Sequence, residues 1–161
     1  MPDVRVADLA DAPPEQVWAA QLDGPGIAAW FPGARSVQDI SGPLDQPGTT
    51  YVLRFNPLVR SRVEITEIEA PVMHTRVWNA RPLGTRGRAT VLMHAEEGGT
   101  RVDLDVNYQL PLGPFGRLLE SSSWVRHRAA REIRKELQAF CRFAEQRKPQ
   151  DGVERIGGYK S

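Results

Sequence analysis

Hydrophobic spacing changes three times along the chain. The opening DVRVADL alternates Val4 and Val6 with polar neighbours at the period of two that marks a strand. DAPPEQVWAAQLDGPGIAAWFPG then shifts to helical spacing. Pro13 and Pro14 suit a first turn, Glu15 complements the helix dipole there, and Val17, Trp18 and Leu22 supply the inward side. Gly24-Pro25-Gly26 interrupts this helix, and Ile27 to Phe31 predicts a second short one that Pro32-Gly33 stops. From there to Leu110 the period returns to two. ARSVQDIS, GTTYVLRF, RVEITEIE, MHTRVWNA, RATVLMHAEE and TRVDLDVNYQL predict six strands, separated by turn formers such as GPLDQPG, RPLGTRG and EGGT. In the last strand Val102, Leu104, Val106 and Tyr108 share one face, and Arg101, Asp103, Asp105 and Asn107 the other. Tyr51, Leu53 and Phe55 form a second such series. This alternation belongs to an antiparallel sheet with one buried face and one wet face.

After PLGPFGR the spacing turns helical again for about 30 residues, roughly 45 Å of helix. Its inward stripe reads Leu118, Ser122, Arg126, Ala129, Ile133, Leu137, Phe140, Ala144. A seven-stranded sheet with one wet face needs its other face covered, and only this helix is long enough, so the sheet is expected to curl around it. The fold class is α+β. One domain is expected over residues 1–148, with a loose tail, PQDGVERIGGYKS, over 149–161.

The two halves of the stripe differ in chemistry. Ile133, Leu137, Phe140 and Ala144 make ordinary core, whereas Ser122, Arg126 and Ala129 are small or polar and do not fill the space between helix and sheet. A buried hydroxyl without a partner costs about 1–3 kcal/mol, and a buried unpaired arginine far more. Two placements satisfy this: a polar-lined cavity under the first half of the helix, or a first half that projects beyond the sheet into solvent. Leu118 and Leu119 lie further out and read as buried, which favours the cavity. Arg126 would then hold a ligand carboxylate or oxyanion, or a protein acid such as Glu64; on the other placement it is a surface residue.

Composition narrows the function classes. A net charge of +1 gives no general attraction to nucleic acid or to an anionic membrane. No apolar run approaches the ~18 residues a membrane span needs. No basic flank precedes an apolar block near the start, and Cys141 is the only cysteine, so neither a secretory signal nor a disulfide framework is indicated and a cytoplasmic location is expected. The histidines, at 74, 94 and 127, show no ligand spacing, and no phosphate-cradling or nucleophile motif is present, so neither a metal nor another cofactor is predicted. From Leu118 to Gln146 six basic residues face four glutamates. Glu132 and Glu136 interleave with the bases as on a solvated face.

The strings PPEQVWAAQLD, AAWFPGARSV, VEITEIEAPVMHTRVW and EGGTRVDLDVNYQL, followed by the amphipathic helix, resemble the SRPBCC, or START-like, superfamily, and within it the polyketide cyclase/dehydrase and lipid-transport group, over about residues 3 to 146. The resemblance implies a helix-grip fold: a seven-stranded curved antiparallel sheet around a long C-terminal helix, with two short helices after strand 1 and a hydrophobic tunnel between. Members bind lipids, sterols, polyketides or similar molecules, and some catalyse cyclisation or dehydration.

Facing and chemistry then select the candidate ligand-binding residues. They are Trp30 from the second short helix and Tyr51, Leu53, Phe55, Val77, Asn79, Val91, Met93, Val106 and Tyr108 from the strands. Leu118, Ser122, Arg126 and Ala129 complete the set from the long helix. The favoured function is binding or transport of a hydrophobic small molecule by a monomer or weak homodimer, without nucleic acid or membrane insertion. An aromatic polyketide cyclase/dehydratase would use Arg126, Tyr108 and Asn79 to polarise a carbonyl. A protein-interaction module would present the basic face of Arg128, Arg131, Lys135 and Arg142.

Overall fold

The computed structural model describes residues 3–81, 85–109, 118 and 122–147, with the backbone alone for 77–81 and 85. Strand β1 (Asp3–Ala10) leads into helices α1 (Pro14–Gln21) and α2 (Ile27–Trp30). Six strands follow: β2 (Ser36–Gln38), β3 (Thr50–Arg54), β4 (Arg60–Glu69), β5 (Val72–Arg81), β6 (Thr85–Glu96) and β7 (Gly99–Gln109). Helix α3 (Ser123–Gln146) closes the described chain. All strands join one antiparallel sheet in the order β1-β7-β6-β5-β4-β3-β2. The expected seven-stranded, helix-grip architecture is what the chain adopts. The expected C-terminal tail, the PLGPFGR segment and Leu119 lie outside the described residues.

Register decides what faces inward. Val102 pairs with Met93, Leu104 with Val91 and Val106 with Ala89, so every second residue of β6 and β7 points at the helix. The same parity continues through Met73 and Thr75 of β5 and through Val63 and Ile65 of β4, opposite Tyr51 of β3. The outer face is wet. Arg5 pairs with Asp105 at 3.1 Å, Arg76 with Glu64 at 2.6 Å, and Arg101 and His94 both reach Asp103. Each such exposed pair contributes at most about 1 kcal/mol. Register shifts between Arg60 and Arg62, Ile65 and Glu67, and Val77 and Ala80 insert extra residues, and such bulges bend a sheet.

The helix sits hardest on its C-terminal half. Leu137, Phe140, Cys141 and Ala144 are buried; Ala129, Ala130 and Ile133 are half-buried; Arg126 is exposed. Side chains tie down the buried end. Gln16 of α1 donates to the Ala144 carbonyl at 2.7 Å, the Asp11 N–H donates to Glu145 at 2.8 Å, and Arg142 donates to the Leu9 carbonyl at 3.1 Å. Burial pushes the Cys141 thiol up to about 12, so it stays protonated and behaves as core.

The core forms two clusters. One joins β1, β6, β7, α1 and α3 through Val4, Val6, Val17, Met93, Val102 and Phe140. The other joins α2 to β3, β4 and β5 through Ile27, Leu53, Val63, Ile65 and Met73. Trp18 and Trp30 touch both.

One close approach holds the β6–β7 hairpin against the start of α1. Thr100, fully buried, donates its hydroxyl to the Ala12 carbonyl at 2.8 Å. Beside it Gly99 has φ 150°, and a Cβ there would stand 2.1 Å from the Ala10 carbonyl oxygen. Gly99→Ala is therefore expected to destabilise the protein by about 2–4 kcal/mol, read as a lowered midpoint in denaturant. An unchanged midpoint would contradict the packing described.

Candidate functional site

A cavity of about 250 Å³, partly open to solvent, lies at the seam between the two clusters. Typical ligand sites begin near 300 Å³, so it suits a small guest. Its walls come from every layer. The sheet contributes Tyr51, Leu53, Val63, Val91, Leu104 and Val106 among others; α2 and the residue after it add Ile27, Trp30 and Phe31; α3 adds Ile133, Glu136, Leu137 and Phe140. The aromatic wall is braced internally. Trp30 meets Phe140 edge-on at 5.0 Å between ring centroids, and Phe31 meets Phe55 at 5.9 Å.

Six of the expected residues line this space: Trp30, Tyr51, Leu53, Phe55, Val91 and Val106. Met93 is instead buried inside the first cluster, and Tyr108 is half-buried against that cluster, off the cavity lining. The side chains of Val77 and Asn79 lie outside those described.

The expectations for the N-terminal half of the helix need correction. Leu118 is 65% exposed, Arg126 is exposed, and Ser122 takes the half-buried N-cap position without a side-chain capping bond. Ala129 is half-buried but does not reach the cavity. The reason is leverage. The clamp to β1 and α1 acts on residues 137–145, so exposure grows toward the start of α3 and the first turns stand clear of the sheet. Glu64, the acid considered as a partner for Arg126, faces outward and pairs with Arg76. The trio Arg126, Tyr108 and Asn79 is therefore not gathered at this cavity by the described residues. The cavity exists, but its helical wall, Ile133 to Phe140, lies about three to four turns later than the expected Leu118 to Ala129.

That later wall carries the residue whose spacing among bases placed it in solvent. Glu136 lines the cavity at helical spacing from Ile133 and Phe140. Among the described residues it makes no hydrogen bond or ion pair, and burial pushes its carboxyl from the ordinary 4.5 up to about 7. Across the cavity, burial and then the Glu136 charge hold the Tyr51 phenol above its usual value, so that hydroxyl stays protonated. Trp30 Nε1 is buried without an acceptor among the described residues. The remaining polar lining, Gln21, Ser61 and Thr75, is uncharged. The one signal of this placement was the register of Glu136 with Ile133 and Phe140, which a glutamate among basic neighbours masks. Elsewhere, His94 and Asp103 meet on the outer face, and among the described residues no group of three potential ligands could hold a metal.

Glu136 makes stability depend on pH. An unfolded chain loses this proton near pH 4.5, whereas the folded protein keeps it to about pH 7. Folding therefore retains a proton across that window, and stability falls as pH rises through it, by up to about 3 kcal/mol, before levelling off. Glu136→Gln is expected to abolish this contribution, and so to gain stability relative to the wild type between about pH 5 and about pH 8. Denaturant titrations at the two pH values check this; parallel curves for both proteins would contradict it.

The comparisons with known proteins agree with this architecture. A solved structure of TTHA0849 from Thermus thermophilus matches with a TM-score of 0.69 at 23% identity, covering 89% of this chain and 97% of that one. The Zhui aromatase/cyclase from Streptomyces sp. R1128 matches at 0.66 and 19% identity, covering 91% and 94%. Ara h 8.0201 matches at 0.67 and 14%, covering 91% and 99%. At such identities the likeness is one of fold. A search of curated proteins by sequence found no significant match. Residues 1–145 match the family described as polyketide cyclase/dehydrase and lipid transport, and the chain, with its sheet gripping a terminal helix around a cavity, belongs to that family.

Proposed function

We propose that the protein binds a hydrophobic small molecule in the cavity between sheet and helix, as a carrier or sensor of it. The observation that carries this reading is the apolar space, with a route to solvent, that remains at the seam of the two core clusters although Trp18 and Trp30 bridge them. Filling that space with a guest would recover dispersion contacts that its walls now lack. The family assignment supports ligand binding, and the wall chemistry restricts the guest to one that is mostly apolar.

The competing readings have less behind them. A cyclase working through Arg126, Tyr108 and Asn79 would need those groups on the cavity, and Arg126 is exposed. An interaction surface on the basic helix face would use Arg128, Arg131, Lys135 and Arg142. Three of these are already engaged within the chain: Arg128 over the Trp124 ring, Lys135 with Glu132, and Arg142 with Asp8 and Glu145.

The test is a titration with the neutral fluorophore N-phenyl-1-naphthylamine alongside Ala89→Trp, which places a large ring on the cavity wall. The wild type is expected to bind the probe with enhanced emission. The variant is expected to keep its thermal transition and to lose at least about tenfold in affinity. Equal binding by both proteins, or none by the wild type, would count against the cavity as the binding site.

A further inference from the structure

We infer that Glu136 and Tyr51 form a polar subsite in the cavity that receives the neutral oxygen acceptor of an otherwise apolar ligand, a ketone or quinone-type carbonyl, with Glu136 protonated in the complex. The inference rests on the cavity being the ligand site.

The geometry sets the problem. Glu136 is the one charged side chain lining the cavity among the described residues. Facing it, α1 contributes Gln21, whose amide donates to the Met73 sulfur, and α2 contributes Trp30. The strands β3, β4 and β5 contribute Tyr51, Ser61 and Thr75, while β6 and β7 contribute only apolar side chains. On α3 itself the neighbouring Glu132 and Lys135 are exposed and pair with each other, and Asp8 of β1 is held by Arg142. No described base neutralises the Glu136 carboxylate.

Two guests could relieve it. A ligand ammonium would supply the missing charge, but it would lose its own hydration, several kcal/mol for an ion, in a space with few acceptors for its remaining N–H groups. A neutral carbonyl loses little hydration. It accepts from the Glu136 O–H and the Tyr51 O–H, both of which are donors when protonated. Tyr51 holds its proton because of its burial, and Glu136 holds its own until about pH 7. The wall therefore presents donors, and its complement is an acceptor. Because binding selects the protonated acid, affinity for such a ligand is expected to fall about tenfold per pH unit above about 7.

Equilibrium dialysis of three ligands of similar size tests this: 2-acetylnaphthalene, 2-ethylnaphthalene, which lacks the acceptor oxygen, and the cation 2-(aminomethyl)naphthalene. Each is measured at about pH 6 and about pH 8.5, on either side of the Glu136 transition. The wild type is expected to prefer the ketone to the ethyl compound at the lower pH by at least about tenfold, and to lose most of that preference at the higher pH. Glu136→Gln keeps an N–H donor and is expected to retain the preference at both pH values. Glu136→Leu is expected to bind the ethyl compound and to lose the preference. Equal binding of ketone and ethyl compound at the lower pH overturns the inference while leaving the cavity as the ligand site, as does tighter binding of the amine than of the ketone at the higher pH. Failure of all three ligands to bind overturns both.

Discussion

The clamp on the C-terminal end of α3 governs the rest of the architecture. Gln16, Asp11 and Arg142 make specific bonds between that end and the β1–α1 region, and Phe140, Cys141 and Ala144 are buried beneath them. A rigid helix held at one end crosses the concave sheet at a height the clamp decides. Along β1, β6 and β7 that height lets side chains meet, and the first core cluster forms. Over β3 and β4 the sheet has bent away, and its side chains pack against α2 instead. Two clusters and the space between them are the result. The cavity is thus a consequence of where the helix is fastened, and the small residues near its start do not create it.

Against that background Glu136 stands out as a local rule broken. A carboxyl facing an apolar space without a partner among the described residues works against folding at neutral pH, and a leucine would fit the stripe of Ile133, Leu137 and Phe140 without that penalty. Natural sequences depart from such rules mainly at functional sites, where stability gives way to binding or chemistry. The buried Trp30 N–H and the protonated Tyr51 point the same way, toward a wall that orients a guest through a few polar groups on an apolar surface.

The relatives underline how little the fold alone says about the guest. An aromatase/cyclase, Ara h 8.0201 and this chain share the gripped helix at 14–19% identity. A fold of this kind supplies a container, and the chemistry of each container lies in the few polar residues on its wall. For this chain those residues are Glu136 and Tyr51, with Gln21, Ser61 and Thr75 as neutral company.

What the sequence determined by itself was the framework. Periods of two and of 3.6 residues depend on local backbone geometry, so the seven strands, two short helices and one long helix were all legible, as were the inward sets of β3 and β7. The prolines and glycines that end each element act within a few residues of themselves, which is why the turns were legible too. The tertiary structure decided which part of the long helix meets the sheet. Helical spacing says that Arg126, Ile133 and Phe140 share a stripe, but the depth of each depends on bulges in β4 and on bonds from α1, more than 100 residues away in sequence. Hence Arg126 emerged into solvent and Glu136, read as one more charge on a wet face, turned inward. Burial of a charge is a property of everything packed around it, and no local pattern in the chain carries that information.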